Sequence, residues 1–128
     1  MDTTKIVTCL ADLEEAAEDI LTDRQTIIDL DRTRNGNREA LRHLQKQGDK
    51  KSWIVMGNTF FKLETESVED ILKKDQERLD KEINDLRDNL KKKMDKIKDL
   101  EGKPALKGFN LKPLNRDEMS AIYRTMGK

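Results

Sequence analysis

The chain is poor in the residues from which compact enzymes are built. Its 128 residues include one cysteine, one histidine, one tryptophan, one tyrosine, three phenylalanines and two prolines. A single cysteine, Cys9, excludes an intrachain disulfide, and with His43 as the sole histidine the usual soft-metal clusters cannot be assembled. A reducing compartment is the simplest setting. Cys9 and His43 also fall near opposite ends of one predicted helix, roughly 50 Å apart at about 1.5 Å per residue, too far for a nucleophile pair. There is no glycine-rich phosphate loop. Catalytic residues, a metal and a cofactor are therefore not expected.

Apolar residues make up 34% of the chain and charged residues 41%. That is too little apolar material for a thick core, so stability must come from narrow seams between long helices or from partners that complete the core. Lysine plus arginine balances aspartate plus glutamate at 26 each. The chain thus has no overall field to hold nucleic acid or an anionic membrane. The basic run Lys91-Lys92-Lys93 with Lys96 and Lys98 lacks interleaved aromatics and reads as a solvated helix face. No stretch approaches the roughly 20 apolar residues of a membrane span, and Met1 to Leu10 has neither the basic start nor the apolar run of a signal peptide. The cytoplasm, or the nucleus as well, is the expected location.

What the sequence does contain is periodicity. From about Thr4 to Gln47, Ile6, Leu13, Ile20, Ile27, Arg34 and Leu41 recur every seven residues, with Leu10, Ala17, Leu30, Asn37 and Leu44 as companions and one change of phase. The seam is weakest around Arg34, Gly36 and Asn37, where glycine costs a helix about 1 kcal/mol relative to alanine. A continuous but weakened helix is expected, stopping at Gly48. A second seam has Leu72, Leu79, Leu86, Lys93 and Leu100 at one heptad position and Gln76, Ile83, Leu90 and Ile97 at the other. Thr65-Glu66-Ser67 supplies its start, with Ser67 and Asp70 spaced as a capping box, and Gly102 and Pro104 its end. Glu69 and Lys73, Asp70 and Lys74, Glu77 and Lys81, and Asp88 and Lys92 are spaced as acid-before-base pairs on its surface.

Between the helices, Ser52-Trp53-Ile54-Val55-Met56 and Thr59-Phe60-Phe61-Lys62-Leu63 read as two strands, linked by Gly57-Asn58 in a type II′ turn that needs positive φ at glycine. Such a hairpin is marginal alone and would show apolar residues on both faces. It needs something to pair with, and its free edges suit addition to a neighbour's sheet. After residue 102 an extended stretch leads to a short helix near 115–126, capped by Asn115 with Glu118, whose apolar face is Met119, Ile122, Tyr123 and Met126. The expected architecture is mainly α: two long helices in an antiparallel coiled coil joined by a single β-hairpin. Residues 1–102 form the coiled coil, with the hairpin at 52–63, and residues 103–128 form a tail with a short helix.

Helix, single hairpin and helix, with heptads in both helices and the turn in Val55-Met56-Gly57-Asn58-Thr59-Phe60, resembles the β-class of prefoldin subunits. Ile27-Ile28-Asp29-Leu30-Asp31, Lys74-Asp75-Gln76 and above all Gly102-Lys103-Pro104, Gly108-Phe109-Asn110-Leu111 and Pro113-Leu114-Asn115 look like one branch of that family. The resemblance implies a non-catalytic chaperone or co-chaperone subunit in a hetero-oligomer of α- and β-class subunits, whose hairpins join into a shared barrel and whose free helix ends hold unfolded or assembling clients. It further implies work alongside Rvb-type ATPases and Hsp90. Carried onto this chain, assembly falls on Trp53, Ile54, Val55, Met56, Gly57, Asn58, Phe60, Phe61 and Leu63. The coiled-coil seam falls on Ile20, Ile27, Leu41, Leu72, Leu79, Ile83, Leu86 and Leu90. Client or partner contacts fall on Ile6, Val7, Leu10, Ile97, Leu100, Phe109 and Leu111. A homodimeric coiled-coil scaffold without chaperone activity is the alternative.

Overall fold

A computed structural model describes residues 3–103 and 113–126. The expected Pro104, Phe109 and Leu111 features lie outside the described residues. Five elements follow in order: α1 (Thr3–Gln47), β1 (Lys51–Met56), β2 (Thr59–Glu64), α2 (Thr65–Glu101) and α3 (Arg116–Met126).

α1 runs unbroken through Gly36, because the helical hydrogen bonds on either side outweigh the cost of one glycine. It stops at Gly48, whose φ of 67° is the left-handed conformation that glycine adopts without a Cβ clash. α2 begins directly after β2, two residues before Ser67, so Ser67 lies inside the first turn and does not cap it. Its start is tied down differently: the Thr65 amide donates to the Lys50 carbonyl at 2.9 Å, and the buried Ser52 and Thr65 hydroxyls bond to each other at 2.7 Å. At the other end Gly102 donates to the Lys98 carbonyl at 3.0 Å and Lys103 to Leu100 at 3.2 Å, tightening the last turn. α3 has the expected reciprocal box. The Glu118 amide donates to Asn115 Oδ1 at 2.7 Å and the Asn115 amide to Glu118 Oε2 at 3.3 Å.

The chain divides into two compact units, one comprising Met1–Ile28 with Asn84–Lys128 and the other Asp29–Ile83. The terminal unit has the fuller core, with Leu13, Ala16, Ala17, Ile20 and Ile27 of α1, Leu90, Met94, Ile97 and Leu100 of α2, and Leu114 and Ile122 from the tail. Lys93, expected at a seam position, is half-buried, and its Nζ donates to Asp23 Oδ2 at 2.6 Å; Met94 takes the core place instead. A charged head next to a carboxylate avoids the cost of burying an unpaired ion.

In the hairpin unit only Val68, Leu79 and Ile83 are buried apolar residues, while Leu41 and Leu72 are half-buried. Its α1 and α2 segments are instead joined by polar bonds. Asn37 Nδ2 donates to Asp75 Oδ2 at 2.7 Å, Arg34 Nη1 to Asp80 Oδ1 at 2.9 Å, and Gln76 Nε2 to the Arg34 carbonyl at 3.0 Å. Higher α1 numbers pair with lower α2 numbers, so these segments run antiparallel. The expected surface pairs of Glu69, Asp70, Glu77 and Asp88 with lysines four residues on do not close; Arg78 instead bridges Asp75 at 2.7 Å and Glu82 at 2.8 Å. Arginine's planar fork loses less freedom per bond than a lysine chain, and an exposed lysine pair gains too little to be held.

Candidate assembly surface

The hairpin's local sequence dictates its geometry. Gly57, at φ 62°, takes the first turn position and lets Met56 pair with Thr59. The antiparallel register then continues through Val55–Phe60, Ile54–Phe61, Trp53–Lys62, Ser52–Leu63 and Lys51–Glu64. Residues paired directly across a ladder point to the same side, and the side alternates along the strand. One face therefore carries Trp53, Val55, Phe60 and Lys62, and the other Ser52, Ile54, Phe61 and Leu63.

The two faces differ in cover. Ser52 is buried and Ile54 and Leu63 are half-buried, so their face is the one turned toward the body of the unit. Trp53 is 65% exposed, Val55 56% and Phe60 68%. The Lys62 ammonium sits 5.8 Å from the centre of the Trp53 ring, an exposed cation–π contact on the same open face. An open depression of about 480 Å³ continues from the hairpin onto α2, lined by apolar Ile54, Val55, Ile71 and Leu72 together with polar Asn37, Asp75 and Arg78. Among the described residues the sheet has two strands, so each strand also has an unpaired edge there.

Beside this surface the polar layer has its own electrostatics. Arg78, with help from Asn37, holds the Asp75 carboxyl below its ordinary range against the opposing effect of burial. The Asp80 hydrogen bond, aided by Asp31, raises Arg34 despite its partial burial. Arg34 Nε and Gln76 Oε1 are buried without a hydrogen-bond partner among the described residues.

The expected contact residues at the free helix ends separate on inspection. Val7 is exposed and Ile6 and Leu10 are half-buried, but Ile97 and Leu100, at 2% and 5% exposed, belong to the core of the terminal unit. Their burial follows the heptad seam, which counts both among its positions, rather than the expectation that they offer open apolar surface; Ile97 also lines a cleft with Pro113, Leu114, Arg116 and Met119 of the tail. From the sequence, the apolar face of Met119 and Ile122 allowed either docking along the coiled coil or ordering by a partner, and in the structure Ile122 is buried. Among the described residues no cluster of histidine, cysteine and carboxylates could hold a metal ion, and no helix is long and apolar enough to cross a membrane.

Comparison with known proteins places this arrangement. The family model described as prefoldin subunit matches residues 4–104. Three similar relatives are the proteins named p53 and DNA damage-regulated protein 1 of Pongo abelii and Rattus norvegicus, each 45% identical, and of Homo sapiens, 44% identical, all over 120 residues that cover 92% of this chain and 90% of theirs. No solved structure matches.

Proposed function

This chain belongs to the prefoldin subunit family, and from that premise we propose that it is a non-catalytic chaperone-type subunit that assembles through its hairpin with sister prefoldin-like subunits of the α- and β-class. One observation carries the reading. Among the described residues the hairpin unit buries three apolar side chains and exposes six large ones, namely Trp53, Val55, Met56, Phe60, Phe61 and Ile71, whereas the terminal unit buries eleven and exposes two. A unit with more large apolar residues exposed than fully buried has the composition of half an interface.

The strand edges supply backbone hydrogen bonds for sheet addition, and the Trp53–Val55–Phe60 face supplies the area that must leave water. Clients, in this reading, are unfolded or assembling polypeptides held weakly at several apolar points, with affinity arising from the assembled ring. Val7, with Ile6 and Leu10, is the described apolar surface of the chain ends that suits such contacts. Work beside Rvb-type ATPases and Hsp90 is part of the same proposal.

Size-exclusion chromatography with light scattering tests it, using the full chain mixed with sister subunits. Phe60→Asp and Phe61→Asp, which place a carboxylate on each face of the hairpin, are expected to remain as free chain while the wild type enters a hetero-oligomer. Normal entry of both variants refutes the hairpin reading. Stable self-association of the wild type without any sister subunit favours the homodimeric scaffold instead.

A further inference from the structure

α3 is held in the terminal unit by apolar contact and little else. An eleven-residue helix is too short to be stable alone in water and leaves its own side chains open, so the complete burial of Ile122, at 0%, with Leu114 at 3%, requires cover by the rest of the unit. α1 shows the complementary widening. Leu13, Ala16, Ala17 and Ile20 are all buried, a broader stripe than the two positions per heptad of a two-helix seam, and the alanines allow close approach. On α2, Ile97 and Glu101 share a cleft of about 430 Å³ with Pro113, Leu114, Arg116 and Met119, so the seat of the tail is incompletely filled.

Among the described residues α3 makes no polar bond outside its own cap and turns. The bonds of Asn115 and Glu118 close the cap of α3, and the Thr125 hydroxyl donates to Ala121 within the same helix. Arg116, Asp117, Glu118 and Arg124 form no ion pair among the described residues. A helix kept by one fully buried side chain, Ile122, and by no directional bond among the described residues is replaceable by another helix of the same pattern.

We propose that α3 occupies in cis a receptor surface for an amphipathic helix, and that the ligand of this surface is an amphipathic helix of a second polypeptide with apolar residues spaced as Met119, Ile122 and Met126. Displacement opens Ile97 and Leu100 to that ligand. Tethering gives α3 a local concentration on the order of millimolar, so a free helix competes poorly while α3 is seated and well once it is not. This device does not depend on assembly through the hairpin, and the full chain alone can test it.

The probe is a fluorescent peptide of residues 113–126, titrated by anisotropy against the full-length wild type and Ile122→Asp. With its own helix unseated, the variant is expected to bind the peptide at least about tenfold more tightly than the wild type, as follows from removing a tethered competitor. A peptide carrying the same change is expected not to bind. Equal affinity for the two proteins overturns the proposal. Hydrogen exchange on the wild type decides the matter even if the variant fails to fold: α3 amides are expected to exchange at least about a hundredfold faster than those around Ile20, because α3 opens without the rest of the unit. Exchange of α3 at the same rate as Ile20 shows an integral third helix and refutes exchangeability.

Discussion

Replacing Gln76 by leucine should stabilise the isolated chain, although it deletes a hydrogen bond between two helices. The Gln76 amide donates to the Arg34 carbonyl at 3.0 Å, while its Oε1 is buried without a partner among the described residues. The Arg34 carbonyl lies inside a continuous helix and keeps its bond from the amide four residues on, so removing Gln76 orphans nothing there. Losing the side-chain bond costs about 1 kcal/mol, and removing a buried unpaired acceptor returns about 1–3 kcal/mol. A half-buried leucine adds about 1 kcal/mol of apolar burial, for a net gain of about 1–3 kcal/mol. Urea unfolding followed by circular dichroism at 222 nm reads this directly: with a slope of about 2 kcal/mol per molar, the midpoint rises by roughly 0.5–1.5 M. A midpoint lowered by that amount would show that Oε1 is satisfied and that the layer stabilises the fold on its own account.

Gly36→Ala should raise stability by about 0.5–1 kcal/mol in the same assay, since α1 is helical through this position and a Cβ there meets nothing within 4 Å; no change or a loss would contradict a continuous helix. Asp75→Asn should lower stability at neutral pH and flatten the acid limb of the stability profile. The Asp75 carboxyl is held below its ordinary value by Arg78 and Asn37. Its contribution is therefore complete above the unfolded value of about 3.9 and is lost as pH falls through the lower folded value. Urea midpoints of wild type and variant should converge below about pH 4, and a constant gap down to pH 2 would remove Asp75 as the cause.

How much was legible in the sequence follows the range of the interaction. The Gly57-Asn58 turn, the Gly48 stop and the Asn115–Glu118 box are written in neighbouring residues, and each formed as read. The heptads located Ile20, Ile27, Leu79, Ile83 and Leu90 in the core, because a seam requires only that the helix be long. Lys93 and Met94 exchanged roles because a heptad stripe read along one helix does not show the carboxylate facing it: Asp23 of α1 draws the Lys93 ammonium out and Met94 fills the core. Asn37–Asp75 and Arg34–Asp80 were invisible as pairs, since they depend on the register of α1 against α2, which the strand lengths and the Ser52–Thr65 anchor help to set.

The polar layer and the bare hairpin then have a common explanation. A chain with 34% apolar residues cannot both fill the hairpin unit from within and keep Trp53, Val55 and Phe60 facing outward. Directional bonds from Arg34, Asn37 and Gln76 to α2 hold the two helices in one register without using apolar side chains, and a single register is what a hairpin needs to present its edges reproducibly. Leucines in that layer would bind the helices more strongly but tolerate slippage by a turn. Greater stability of the lone chain would then come with less definite assembly, so the Gln76→Leu protein should unfold later in urea and enter a hetero-oligomer less completely.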